Sequence, residues 1–316
     1  MIITLTPFPA IEYIYSVDAI ITNEVHTINN MVLNILSKGF YSAQIMKVLQ
    51  EEPIIISNFG GSTGRSIKHY LDKAKIKSDI VWSDSETPHQ IKITANNTNE
   101  YISITNKEID IAESSLTRIG YKLIDNLSKV TTLVLSGDIP EDSIDIYKDW
   151  LEKVKQNNIK LVVSSGQKSV WELLMKEKPY SIFLTEAQIK RLELYNEDRG
   201  ELIKTFSKFL GYGLHYICIL LDNNEAITIS KHKVCQVVYT HTNLPLEQHH
   251  SAKAGAFLGA LAISVNRQYE QEKMSKLCLA SALSAHGDLS KKICTKKDID
   301  SRYKRTKVIQ LVTESE

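Results

Sequence analysis

The stretch "TTLVLSGDIPEDSIDIYKDWLEKVKQNNIKLVVS", residues 131–164, decides the fold class. Its two ends, "TTLVLS" and "IKLVVS", are apolar without alternation, as strands covered on both faces are. Between them "SIDIYKDWLEKVKQNN" repeats its apolar residues at helical spacing. The same strand-like runs recur at "IITLT" (2–6), "PIIIS" (53–57), "YSIFL" (180–184) and "YICILL" (216–221). Helical patterns lie between them, in "VLNILSKGFYSAQIMKVLQ" (32–50), "IAESSLTRIGYKLIDNLSKV" (111–130) and "ELIKTFSKFLGYG" (201–213). Alternation of the two predicts an α/β fold with a largely parallel central sheet.

Two segments break the rhythm. "IEYIYSVDAI" (11–20) and "HQIKITANNTNEYISITN" (89–106) alternate with a period close to two, the second with "NNTN" as a turn. They predict a small side sheet of antiparallel strands. The closing "KVIQLV" predicts one more strand, and residues 291–307, with eight Lys/Arg against two Asp, read as a solvated face. No linker or repeat divides the chain, so a single large domain over residues 1–316 is expected.

Basic and acidic residues number 38 and 37, a formal net of +1, which gives no electrostatic case for nucleic acid or an anionic membrane. The four cysteines, Cys218, Cys235, Cys278 and Cys294, are far apart and form no C-x-x-C pair, against a disulfide framework or structural zinc site and in favour of a reducing, cytoplasmic setting. No charged segment followed by an apolar run opens the chain, and its most apolar later run, "ICILL", is far too short to span a bilayer.

Several landmarks in order resemble the PfkB carbohydrate kinase family, in its branch of 1-phosphofructokinase and tagatose-6-phosphate kinase. "TPFPAIEYIYSVD" resembles that family's T-L-N-P-A-I-D opening, and "NFGGSTGRSI" its L-G-G-x-T-G segment. "LVLSGDIPEDSIDIY" resembles V-L-S-G-S-L-P-x-G, and "KPYSIFLTEAQI" resembles K-P-x-x-I-K-P-N-x-x-E-L. "HHSAKAGAFLGALA" (249–262) falls where the family has N-x-x-G-A-G-D-x-F-x-A-G. The resemblance implies a ribokinase-like fold, a three-layer α/β/α sandwich with a small β lid, and ATP-dependent phosphorylation of a sugar phosphate with Mg²⁺. It also implies a possible homodimer through the lid strands, with "YIYSV" as a candidate contact.

Residue by residue, the resemblance meets substitutions. The family's G-A-G-D supplies an anion hole and a catalytic carboxylate at a helix start. Here those positions are Ala252, Lys253, Ala254 and Gly255, and glycine cannot accept a proton. Glu247 stands eight residues before Gly255. His249 and His250 are poor substitutes, since an imidazole beside phosphate becomes protonated and donates. Lys253 offers a point charge for a phosphate, and Ser251 a helix cap.

On the substrate side the matching positions are Glu12, Lys38, Gly39 and Gln90, with Tyr41 for an asparagine and Pro88 for a phosphate-gripping arginine. Thr185 and Gln188 replace the N-x-x-E pair that the family associates with hydrated magnesium, and Asp222 and Glu225 replace nucleotide-side glycines. Two carboxylates there add bulk and repel phosphates. The expectation is a homologue whose phosphotransfer is lost or very weak, kept as a ligand- or partner-binding protein. The alternative is an active kinase of fructose 1-phosphate, fructose 6-phosphate or tagatose 6-phosphate with a rearranged site, requiring ATP and Mg²⁺.

Overall fold

The computed structural model describes residues 1–96, 98, 100–106, 111–212, 214–240 and 250–311. Glu247, His249 and part of the "NNTN" turn lie outside them. The elements in order are β1 (Ile2–Thr6), β2 (Ile11–Val17), β3 (Asn30–Ile35), α1 (Lys38–Val48), β4 (Ile54–Gly60), α2 (Gly61–Lys73), β5 (Lys77–Ser83), β6 (His89–Ala95), β7 (Tyr101–Thr105), α3 (Glu113–Asn126), β8 (Thr132–Ser136) and α4 (Ile144–Gln156). There follow β9 (Lys160–Ser164), α5 (Lys168–Glu177), β10 (Ser181–Thr185), α6 (Glu186–Arg191), α7 (Arg199–Ser207), β11 (Tyr216–Leu220), β12 (Glu225–Ile229), β13 (Val234–Tyr239), α8 (His250–Asn266), α9 (Gln271–Ser284), α10 (Lys296–Lys304) and β14 (Thr306–Leu311).

A ten-stranded sheet runs in the order β14-β13-β12-β11-β10-β9-β8-β1-β4-β5. From β11 to β5 every neighbouring pair is parallel, and β12, β13 and β14 add an antiparallel edge. The continuous apolarity of its strands follows from their double burial. Leu133 and Leu135 face a core shared with α3, α4, α5 and α7, while Val134 between them faces α8 and α9. Leu161 and Val163 alternate with Val162, and Ile182 and Leu184 with Phe183, in the same way. Helices thus cover both faces of the sheet, giving the three-layer α/β/α sandwich.

The lid is a separate four-stranded sheet in the order β3-β2-β6-β7. It uses the expected segments 11–20 and 89–106, but it is mixed: β2 pairs antiparallel with β3 and parallel with β6. The helix read over residues 32–50 is corrected at its first half. "VLNI" belongs to β3, and α1 starts only at Lys38, where the Ser37 hydroxyl caps it by accepting from Phe40 N at 3.2 Å.

Helices α1 and α8 pack closely because glycine leaves room for them. A Cβ on Gly259 would stand 2.5 Å from Ser42 O, and one on Gly255 would stand 2.5 Å from Lys38 O and 2.6 Å from Tyr41 Cβ. Backbone cannot move aside there as a side-chain tip could. Gly259→Ala is expected to cost roughly 1–3 kcal/mol of stability, read as a lower urea midpoint with unchanged slope. An unchanged midpoint would contradict this packing.

Candidate functional site

The carboxyl ends of the parallel strands β1, β8, β9 and β10 open on a common crevice, the usual ligand position of an open α/β sheet. A cavity of about 230 Å³ is formed there, lined by Thr6, Lys38, Ser136, Asp138, Arg191 and Ser251 among others. Lys38, on the first turn of α1, donates to Ser164 Oγ at 3.2 Å. Burial pushes its ammonium down to about 8, with Asp138 acting in the opposite sense and Arg191 adding to the fall. Asp138 pairs with Arg191 of α6 and accepts from Ser165 Oγ at 2.9 Å. Ser136 is buried and its hydroxyl has no partner among the described residues.

Asp138, Arg191 and Ser164 were not singled out in the sequence as site residues. Asp138 and Arg191 are 53 positions apart, one in the loop after β8 and the other at the end of α6. The available signal was the carboxylate directly after the Ser-Gly turn of "LSGDIP". Gly137 there has φ +106° with open space beside it, so the turn faces the crevice without obstruction.

Glu12 and Gln90 do meet, as register partners on β2 and β6. The Glu12 carboxylate accepts from Asn34 Nδ2 at 3.2 Å and from Gln90 Nε2 at 3.4 Å. Tyr41 is structural: its hydroxyl donates to Gly287 O at 2.8 Å and accepts from Ile35 N at 3.1 Å, and burial drives its pKa upward. Gly39 sits against Thr6, where a Cβ would come within 2.9 Å of that side chain.

Ala252, Lys253, Ala254 and Gly255 lie in the first turns of α8. Because α8 already starts at His250, the i→i−4 pattern engages the amides of Ala254 and Gly255 with the carbonyls of His250 and Ser251. Ser251 is therefore the second residue of α8 and not its cap, a departure from the expectation. Ala252, Ala254 and Gly255 are buried, and His250 is exposed.

Lys253 donates to Asn224 Oδ1 at 2.9 Å, and burial lowers its pKa against the pull of Asp222. It thus bridges α8 to the turn between β11 and β12. That turn is held at every side. Asp222 N donates to Glu186 Oε2 at 3.1 Å, and buried Glu225 accepts from Asn223 at 2.9 Å and Gln236 at 2.6 Å and pairs with Arg199 at 3.4 Å.

Thr185 and Gln188 form a capping box on α6, each side chain bonding the other's backbone amide. Among the described residues no group of three His, Cys, Asp or Glu is arranged to hold a metal ion. The four cysteines are buried and free, and no described helix is long and apolar enough to cross a membrane. The turn between β11 and β12 is thus occupied by carboxylates and their partners, and Thr185 and Gln188 are engaged in the α6 cap.

No family model matches the chain. It is 28% identical over 234 residues to a 1-phosphofructokinase of Borreliella burgdorferi, covering 72% of this chain and 74% of that protein. Among solved structures, phosphofructokinase-2 of Escherichia coli in complex with potassium aligns over 96% of this chain and 98% of its own, with TM-score 0.83 and 16% identity. A possible 1-phosphofructokinase from Thermotoga maritima aligns over 98% and 99%, with TM-score 0.82 and 16% identity. These structures share the fold.

The position of Lys38 makes a pH-dependent prediction. An amine whose folded pKa is about 8, below the ordinary 10.5, binds fewer protons folded than unfolded between those values. Stability attributable to it therefore rises with pH across that window and is flat below it. Wild type should gain stability relative to Lys38→Met between about pH 8 and 10.5 in urea unfolding. A pH-independent difference would contradict the assignment.

Proposed function

We propose that this chain, a homologue of the PfkB sugar kinases, retains their scaffold and inter-layer crevice without transferring phosphate from ATP, and works by binding a ligand or partner. The observation that carries this is Gly255. At the position of the family's catalytic aspartate, any side chain would begin 2.5 Å from the Lys38 carbonyl. That position therefore has neither a carboxylate nor the space for one. Losing a general base typically costs 10²- to 10⁴-fold in rate, and losing an oxyanion donor about 10²- to 10³-fold.

The nucleotide side supports the same reading. A phosphate chain entering over the β11–β12 turn would face Asp222 and Glu225, and it would have to displace the Arg199–Glu225 and Lys253–Asn224 contacts. Each broken contact to a charged group typically costs about 1.5–3 kcal/mol.

One observation favours the second reading, an active kinase with a rearranged site. Asp138 places a carboxylate in the cavity of Lys38, where a sugar hydroxyl could lose its proton to it. Both its carboxylate oxygens are already engaged, by Arg191 and by Ser165, so a sugar hydroxyl would have to compete with those partners.

ADP release with fructose 1-phosphate, fructose 6-phosphate and tagatose 6-phosphate at high protein concentration separates the readings. The expected result is no turnover above background, unchanged in Asp138→Asn. Turnover of about 1 s⁻¹ or faster, within the ordinary kinase range, abolished by Asp138→Asn, would establish the second reading. Gly255→Asp is expected to lower stability without creating activity, for want of room.

A further inference from the structure

Lys38 lines the cavity at the strand ends without a counter-ion of its own. It is partly buried there, and its amine donates to a neutral group, Ser164 Oγ at 3.2 Å. Among the described residues Asp138 is the only carboxylate lining that cavity, and it is committed elsewhere. One of its oxygens pairs with Arg191 and the other accepts from Ser165 Oγ at 2.9 Å, so Lys38 has no carboxylate at ion-pair distance among the described residues.

An ammonium taken out of water without a paired carboxylate favours its neutral form. Burial accordingly lowers the pKa of Lys38 to about 8, the charge of Asp138 opposing the fall and that of Arg191 adding to it. At pH 7 about one such amine in ten is uncharged, against about one in 2,500 for an ordinary lysine. The bond that the amine donates to Ser164 leaves the nitrogen lone pair of the neutral form free. A desolvated lysine near another cation is the arrangement that makes an amine nucleophilic toward carbonyl carbon.

The cavity, about 230 Å³, is smaller than the roughly 300–1,000 Å³ of drug-sized sites. Phe8 and Leu36 give it an apolar wall, opposite polar Thr6 and Ser251. A small aldehyde suits this space: its carbonyl carbon is unhindered, and it brings no charge to set against Asp138 or Arg191. We propose that Lys38 captures a small aldehyde in this cavity as an imine. The nitrogen lone pair forms the C–N bond, both amine protons pass to the carbonyl oxygen, and that oxygen leaves as water, so the C=N bond forms with no oxidant or further reactant. This capture goes beyond ligand binding and is independent of whether the chain transfers phosphate.

Reductive trapping tests it on the full chain at pH 7. Propionaldehyde is added with cyanoborohydride, which reduces an imine to a stable secondary amine, and the rate at each lysine is read by peptide mass spectrometry. Lys38 should be marked at least about tenfold faster than the exposed Lys292 and Lys297. In urea, where every lysine meets the same surroundings, that advantage should vanish. Arg191→Gln frees Asp138 to pair with Lys38 and should slow the marking of Lys38 about threefold or more, with circular dichroism confirming that it folds. A Lys38 rate no greater than that of the exposed lysines, an advantage kept in urea, or an unchanged or faster rate in folded Arg191→Gln would overturn the proposal.

Discussion

Two glycines on α8, four residues apart, let that helix lie directly on α1, and the rest of the crevice is arranged around this contact. Gly255 meets the Lys38 carbonyl and Gly259 the Ser42 carbonyl, so the first turn of α1 and the body of α8 are fixed against each other. Lys38 is thereby set at the floor of the cavity at the strand ends. The same closeness leaves no room for a side chain at Gly255, the position that the proposed reading assigns to the family's catalytic aspartate.

The consequences are consistent across the crevice. The helical start at His250 engages amides that an anion would otherwise use, and Lys253 faces Asn224. Glu225 is paired with Arg199 and anchored by Gln236, so the β11–β12 turn is a packed junction. Thr185 and Gln188 fold back on each other. Lys253, Glu225, Thr185 and Gln188 each have an internal partner, whereas the buried Ser136 hydroxyl in the cavity of Lys38 has none among the described residues.

Most of the fold was legible because a doubly covered strand must be apolar on both faces, and such runs cannot be confused with surface helix when turns bound them. The lid strands were legible for the opposite reason, their alternation. β3 was misread as helix because "VLNI" is a short apolar run directly before a helical pattern, and periodicity does not separate the two at that length. β12 and β13, joined by a tight hairpin at residues 230–233, went unmarked because "EAITI" and "VCQVVY" are short apolar runs without a strong turn signal between them. Motif order singled out Glu12 and Gln90, which meet on neighbouring strands, and Lys38, which lines the cavity at the strand ends. The Asp138–Arg191 pair was not singled out, because only the fold brings the loop after β8 to the end of α6, and nothing in the identity of Gly255 announces which backbone it touches.

The central claim is that the nucleotide side of the crevice is filled by the protein's own contacts. Equilibrium titration of the full chain with Mg²⁺-ATP tests it most directly, by calorimetry with a nonhydrolysable analogue as control. The account predicts no saturable binding up to millimolar nucleotide. Saturable binding of stoichiometric nucleotide at micromolar concentration, lost on replacing Lys253, would contradict it.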